Sequence, residues 1–230
     1  MTGVLLCVNR SKLYHSCEGL RSGKRHERTY IVMGQSIGLI VLAAGASTRM
    51  GTPKQLLLHR GRTFLRRAAE TALASACHPI VVVLGAHAEQ VQVELERLPV
   101  LIVENRRWEE GMSSSIRVGL EALVAECEGV DGVVIMLCDQ PFVTVEVINE
   151  LVETYHKTGK LIVASAYGEA CGVPVLFSNE LFVEIAALEG RQGAKQIIAN
   201  HPLDVATVCF PEGAVDVDTP QDYERLRAHT

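Results

Sequence analysis

The stretch Ile37-Gly38-Leu39-Ile40-Val41-Leu42-Ala43-Ala44-Gly45-Ala46-Ser47-Thr48-Arg49-Met50-Gly51-Thr52-Pro53-Lys54 decides the fold class. Its first six residues form an apolar run, which reads as a strand buried on both faces, as in a parallel sheet. Small residues follow and let the backbone turn tightly with its N–H groups bared. Arg49 and Lys54 stand behind them. A loop of this kind at a strand end suits a ligand with several negative charges. The Arg49 guanidinium can grip phosphate oxygens through two parallel hydrogen bonds, and the Lys54 ammonium is a compact charge for a centre where negative charge develops. On these residues alone a second reading stays open: a Gly/Ser turn with two solvated basic side chains.

Outward from this strand, strand-like and helix-like segments alternate. Strands are expected at 37–42, 80–84, 100–103, 132–138, 161–164, 173–177 and 205–210. Helices are expected at 61–76, 88–98, 113–126, 144–155, 179–187 and 193–200, with a last one opened by Thr219-Pro220-Gln221-Asp222. Leu65, Ala68, Ala69, Ala72 and Ala76 share one helical face, as do Ile148, Leu151, Val152 and Tyr155, with Thr144 as N-cap. Apolar strands alternating with helices imply an α/β domain of three layers, a mostly parallel, Rossmann-like sheet covered on both faces. One domain is expected over residues 36–230. In such sheets ligands bind beyond the carboxyl ends of the strands. Ala43–Lys54, Asp139-Gln140-Pro141 and the Asp216/Asp218 region should converge there.

Composition narrows the partners. A net charge of −5, from 22 basic and 27 acidic residues, argues against a nucleic-acid binder. No apolar run approaches the roughly 20 residues that span a bilayer, so no membrane partner is expected. Seven scattered cysteines with no C-x-x-C pair read as thiols of a reducing cytosol, and the expected location is cytoplasmic. Residues 1–35 differ: Arg10–Arg28 holds six basic and two acidic residues without apolar periodicity. They read as a disordered N-terminal extension or a start placed too early, with Met33 as the natural alternative.

The motifs exclude as much as they suggest. The first loop is not G-x-x-x-x-G-K-[ST], and no G-x-G occurs, so neither a P-loop nor a dinucleotide fingerprint is present. Asp139 follows an apolar strand and precedes Gln-Pro, which puts its carboxylate at an exposed strand end. Asp216 and Asp218, two apart, face one side if extended; capping of the last helix is the other reading. Asn105 and Ser113–Ser115 flank a helix start and suit a base, ribose or phosphate, or ordinary capping. Trp108 either anchors this loop or stacks on a ligand. The eight His form no H-E-x-x-H and no Ser-His-Asp pattern.

L-A-A-G-x-S-x-R-M-G-x-x-K at 42–54 resembles the signature of nucleotidyltransferases, specifically the molybdenum cofactor cytidylyltransferase group. The resemblance continues in order through Asn105–Arg117, Leu137–Pro141, Gly172–Phe177 and Asp216–Asp222. It implies the nucleotidyltransferase fold and Mg²⁺-dependent transfer of CMP from CTP to molybdopterin, with release of pyrophosphate. It assigns Arg49, Lys54 and Asp139 to catalysis. Leu42, Ala43, Ala44, Gly45, Arg49, Lys54, Asn105, Ser113 and Ser114 would bind nucleotide, and Asp139, Asp216 and Asp218 would hold the metal. Guanylyl-transferring relatives usually read Leu-Ala-Gly-Gly, so Ala43-Ala44-Gly45 leans towards cytidine. The alternatives are another phosphate acceptor, such as a sugar or polyol phosphate, and a silent cofactor-binding protein that delivers to a molybdenum hydroxylase partner. One departure stands out. Where the family usually reads Gly-Asp-x-Gly-Ala-Arg, this chain has Gly190-Arg191-Gln192-Gly193-Ala194-Lys195.

Overall fold

In the computed structural model, residues 36–228 are described. Residues 1–35, expected to be an extension or to precede the true start, lie outside them. The chain runs β1 (Ile37–Ala43), β2 (Leu58–His59), β3 (Arg62–Thr63), α1 (Phe64–Ala74), β4 (Ile80–Leu84), α2 (Ala88–Val91), β5 (Leu101–Glu104), α3 (Met112–Glu126), β6 (Gly132–Leu137), α4 (Val145–Thr158), β7 (Ile162–Tyr167), β8 (Ala170–Ser178), α5 (Phe182–Ala186), α6 (Ala194–Asn200), β9 (Val205–Cys209) and α7 (Pro220–Ala228).

Seven of these strands form one sheet in the order β5-β4-β1-β6-β8-β7-β9. β1 sits beside β4 and β6, parallel to both, and every one of its residues is buried. This is the behaviour of an apolar run with helices on both sides. Only β8 runs backwards: it is antiparallel to β6 and β7, and β7 is parallel to β9. The reversal has a local cause. Just two residues, Gly168 and Glu169, join β7 to β8, and a connection that short can make only a hairpin.

Alternate residues of the strands feed two cores. Leu39, Val41, Val82 and Met136 pack with Leu65, Ala69, Ile148 and Leu151 of α1 and α4. Ile40, Val83, Ile135 and Phe177 pack with Ile116, Leu120, Ile185 and Ile197 of α3, α5 and α6. The three layers expected from the sequence are thus present. The helix start expected at Thr144 holds, its Oγ1 accepting from the Val147 amide, and Thr63 Oγ1 caps α1 by accepting from the Arg66 amide at 3.2 Å. Gly159, left-handed, closes α4.

Three expected helices differ. The one placed at 61–76 begins only at Phe64, because 58–63 folds into a hairpin in which His59 faces Arg62. Its two-residue turn has φ of 51° at Arg60 and 76° at Gly61, the doubly positive geometry that matches strand twist. The segment at 88–98 is α2 followed by a 3-10 turn at Gln92–Leu95, and a left-handed Arg97 ends it. The segment at 179–187 starts as a 3-10 turn before α5.

Leu39 lies fully buried in the central strand. Leu39→Ala is expected to lower unfolding free energy by about 2–5 kcal/mol in urea titrations. Val183→Ala, at a position 82% exposed, should stay within about 0.5 kcal/mol of wild type.

Candidate active site

The ends of β1 and β6 lie side by side because Leu42 and Leu137 share one register, and the Cys138 amide donates to the Leu42 carbonyl at 3.2 Å. The loops that follow these strands therefore meet. The first loop is shaped from within. Gln55, 2% exposed, donates through Nε2 to the carbonyls of Ala43 at 2.8 Å and Gly45 at 3.0 Å. Ser47 is left-handed with φ 54°, and its Oγ accepts from the Lys54 amide at 2.9 Å. These contacts bring the loop back on itself and set Lys54 at its close. Leu42, Ala43 and Ala44 are buried, so only their backbone can face a ligand, while Gly45 is open.

Lys54 reaches across to the second loop. Its Nζ donates to Asp139 Oδ2 at 2.6 Å and to Asp218 Oδ1 at 2.7 Å. Arg49 Nη2 donates to the other Asp218 oxygen at 2.7 Å. Burial alone would depress the Lys54 ammonium, but the two carboxylates outweigh it and raise its pKa. The hydrogen bond from Lys54 holds Asp218 below the usual carboxylate range, helped by the charges of Lys54 and Arg49. Asp216 has no ion-pair or hydrogen-bond partner among the described residues. Its carboxyl, desolvated in part and repelled by Asp139 and Asp218, is raised, against the opposing pull of Lys54 and Lys195. Cys138 points away into the core, and burial, then Asp139, push its thiol well up.

The last segment is fixed by its own cap. Asp222 Oδ2 accepts from the Thr219 amide at 2.9 Å, and Thr219 Oγ1 accepts from the Asp222 amide at 3.3 Å. This is the reciprocal arrangement of a capping box. Thr219 thus takes the capping work and leaves the Asp218 carboxylate to the cations.

The structure does not gather every expected nucleotide contact. Asn105, Ser113 and Ser114 are at most 1% exposed. Asn105 Nδ2 donates to Ser114 Oγ at 2.8 Å and Ser115 Oγ at 3.0 Å; Ser114 Oγ donates to the Gly111 carbonyl at 2.8 Å. Ser113 Oγ donates to the Gly190 carbonyl at 2.8 Å, and Arg117 holds the Leu188 carbonyl. These side chains face inward and build the start of α3. Buried hydroxyls and amides of this kind are satisfied internally, and giving up such a bond costs about 1–3 kcal/mol. They also fasten the 188–193 loop, which carries Arg191. Gly111, with φ 111°, is required there, since a Cβ would lie 2.3 Å from the Gly190 oxygen. Trp108 packs against the core on the α3 side, so it anchors.

Sequence reading gave no role to Gln55, and none of its own to Gln140 within the Asp139-Gln140-Pro141 segment. Gln55 carries no motif signal of its own. Gln140 is buried and donates to the carbonyls of Val173 and Gly213, each at 3.2 Å, tying β8 and the 211–214 turn to the site.

The sequence model of the MobA-like NTP transferase domain matches residues 39–205 of this chain. The chain belongs to this family. Among characterised relatives, nicotine blue oxidoreductase of Paenarthrobacter nicotinovorans is 34% identical over 198 residues, covering 81% of this chain and 94% of that protein. The purine catabolism protein PucB of Bacillus subtilis is 30% identical over 202 residues, covering 82% and 94%. The crystal structure of Rv0371C of Mycobacterium tuberculosis in complex with manganese superposes with a TM-score of 0.71 at 28% identity, covering 85% of this chain and all of that one.

The carboxylates of this MobA-like site suit a divalent ion. Asp139 Oδ1 is buried and has no hydrogen-bond partner among the described residues. An orphaned carboxylate oxygen in a buried position calls for a cation. Among the described residues no three His, Cys, Asp or Glu side chains gather as a ready-made cage. That fits Mg²⁺ or Mn²⁺ held by one or two carboxylates, with phosphate oxygens and water completing the set.

The Asp218 pairing gives a pH signature. Its folded pKa is lowered, so its contribution is present above about pH 4 and is lost as the pH falls through the folded value. In urea titrations, wild type is expected to exceed Asp218→Asn by a constant margin from pH 8 to 5, and the margin should shrink below about pH 4. A margin that persists unchanged at pH 2.5 would assign it to something other than this ion pair.

Proposed function

We propose that this chain transfers a nucleoside monophosphate from an NTP to a phosphate-bearing acceptor. The acceptor's phosphate oxygen bonds to the α-phosphorus while the bond from that phosphorus to the β-phosphate oxygen breaks, and pyrophosphate leaves. The observation that carries this reading is the meeting of Lys54 and Asp139 at the adjoining ends of β1 and β6, with Asp139 Oδ1 left unpartnered. Membership in the NTP transferase family supports it.

The residues take distinct parts. The backbone of Ala43–Gly45 lines the triphosphate path. Arg49 and Lys54 exchange their carboxylate partners for phosphate oxygens, and Lys54 neutralises charge as it builds at the α-phosphorus. Asp139, with Asp216 or Asp218, would hold Mg²⁺, which when bound screens the phosphates and supplies Lewis-acid polarisation. Gln55 and Ser47 keep the loop in shape. Asn105, Ser113 and Ser114 position the neighbouring turn. An acceptor phosphate already ionised at neutral pH attacks without a general base.

The resemblance in the first loop supports CTP as donor and molybdopterin as acceptor, which makes molybdopterin cytosine dinucleotide the product. A silent delivery protein for a molybdenum hydroxylase remains the competing reading. The intact Arg49, Lys54 and Asp139 set favours catalysis over it.

Pyrophosphate release, followed with CTP and then GTP, with Mg²⁺ or Mn²⁺, and with and without molybdopterin, tests this. Release is expected only with acceptor present, and faster from CTP. No release with any NTP, with molybdopterin or sugar phosphates as acceptor, would sink the enzymatic reading. Lys54→Ala is expected to lower kcat about 10²–10³-fold while CTP binding, measured by calorimetry, weakens less than about tenfold.

A further inference from the structure

The polar groups at the sheet's ligand end fall into two sets. Arg49, Lys54, Asp139 and Asp218 bind one another. Tyr167, Lys195 and Asp216 do not: the Tyr167 hydroxyl, the Lys195 ammonium and the Asp216 carboxylate are without a hydrogen-bond or ion-pair partner among the described residues.

This second set comes from distant parts of the chain. Tyr167 ends β7, Lys195 lies in the first turn of α6, and Asp216 stands between the 211–214 turn and α7. Tyr167 and Lys195 meet over Gly172 of β8. A Cβ at Gly172 would lie 2.0 Å from the Tyr167 hydroxyl oxygen and 3.6 Å from Lys195 Cε. A contact of 2.0 Å is impossible, so the absent side chain is what admits the hydroxyl. Both arms therefore close on one point in space, from two elements. Asp216 lies within electrostatic reach of both Tyr167 and Lys195, and also of Asp139 and Lys54. The pair thus borders the carboxylates of the proposed reaction centre.

We infer that Lys195 and the Tyr167 hydroxyl form the subsite that receives the phosphate of the acceptor. An ammonium and a neutral phenol are two donors, which is what a phosphate monoester asks for. Beside Asp216 alone a phosphate dianion would be repelled; Lys195 offsets that charge. Lys195 is exposed and its ammonium is uncommitted, so an incoming phosphate displaces no existing bond. The tip of the β7–β8 hairpin and the start of α6 then determine which acceptor is admitted, while the first loop serves the nucleotide. Lys195 stands in the segment Gly190–Lys195, where this chain departs from the usual pattern of the family it resembles. The subsite rests on the nucleotidyl-transfer reading for its role, but its ligand chemistry can be tested without turnover.

The experiment measures equilibrium binding to the full-length protein. Molybdopterin is followed by its pterin fluorescence, inorganic phosphate by phosphorus NMR, and CTP with Mn²⁺ by calorimetry. Lys195→Ala is expected to weaken molybdopterin and phosphate binding about 10- to 100-fold, the effect of losing a charge-assisted hydrogen bond, and to change CTP binding less than about twofold. Lys195→Arg should restore most of the loss, and Tyr167→Phe should cost about three- to tenfold. If wild type turns over, Lys195→Ala should raise KM for the acceptor by a similar factor with kcat nearly unchanged. Wild-type protein that binds neither molybdopterin nor phosphate overturns the proposal. So does a Lys195→Ala variant that keeps acceptor affinity, or one that loses acceptor and CTP equally. Absence of pyrophosphate release from wild type counts against nucleotidyl transfer, whereas the binding measurements alone judge the subsite.

Discussion

Lys54 is bound by two carboxylates that lie 85 and 164 residues away, at 2.6 and 2.7 Å. This contact joins the loop after β1 to the loop after β6 and to the segment before α7. Each of the three would otherwise be an irregular surface stretch with its own freedom. The pairing also keeps acid and base charges apart from water in a pocket where neither could stand alone. Lys54 is 15% and Asp139 18% exposed, so the contact is sheltered enough for its Coulomb energy to count. Around it the supporting shell follows: Gln55 and Ser47 bend the loop, Gln140 ties in β8, and Asp222 frees Asp218 by capping α7 with Thr219.

The same arrangement implies an exchange. The cations bound to Asp139 and Asp218 are those assigned to the triphosphate, and the carboxylates bound to Lys54 are those assigned to the metal. On the proposed assignment, nucleotide and divalent ion arriving together would replace each protein–protein pair by a protein–ligand pair, with no charge left bare at either end. Neither ligand alone achieves this. On that assignment, positive coupling between the two would follow from the charge pattern of the site.

Much of the fold was legible because strand burial leaves a plain mark. Ile37–Leu42 and Val133–Leu137 are apolar without interruption, and both are central strands. The marks fail where a local rule outranks periodicity. The alanine and leucine spacing from Leu65 carried the expected helix back to Gly61, but Arg60-Gly61 had already set a hairpin turn. The reversal of β8 is written in Gly168-Glu169, a joint too short for a crossover, and not in the strand's composition. That Arg49, Lys54 and Asp139 come together was legible because charge is rare beside apolar strands. Gln55 was not, since a buried amide that serves two backbone carbonyls looks in sequence like any surface glutamine. Asn105, Ser113 and Ser114 show the limit from the other side: polar residues near a helix start read alike whether they face a ligand or, as their side chains do here, hydrogen-bond within the fold.

The reversed strand β8 has a consequence for how such a domain diversifies. Because β8 begins where its neighbours end, one hairpin brings both Tyr167 and Gly172 to the ligand side of the sheet. A parallel strand there would have sent its first residues to the far edge. Lengthening or recolouring the Gly168–Glu169 tip therefore alters one end of the cleft without passing any strain through β1 or β6. If the proposed subsite is the acceptor's, the two halves of the cleft are mechanically separable, and changes in one hairpin would try new acceptors while the loop after β1 stays as it is.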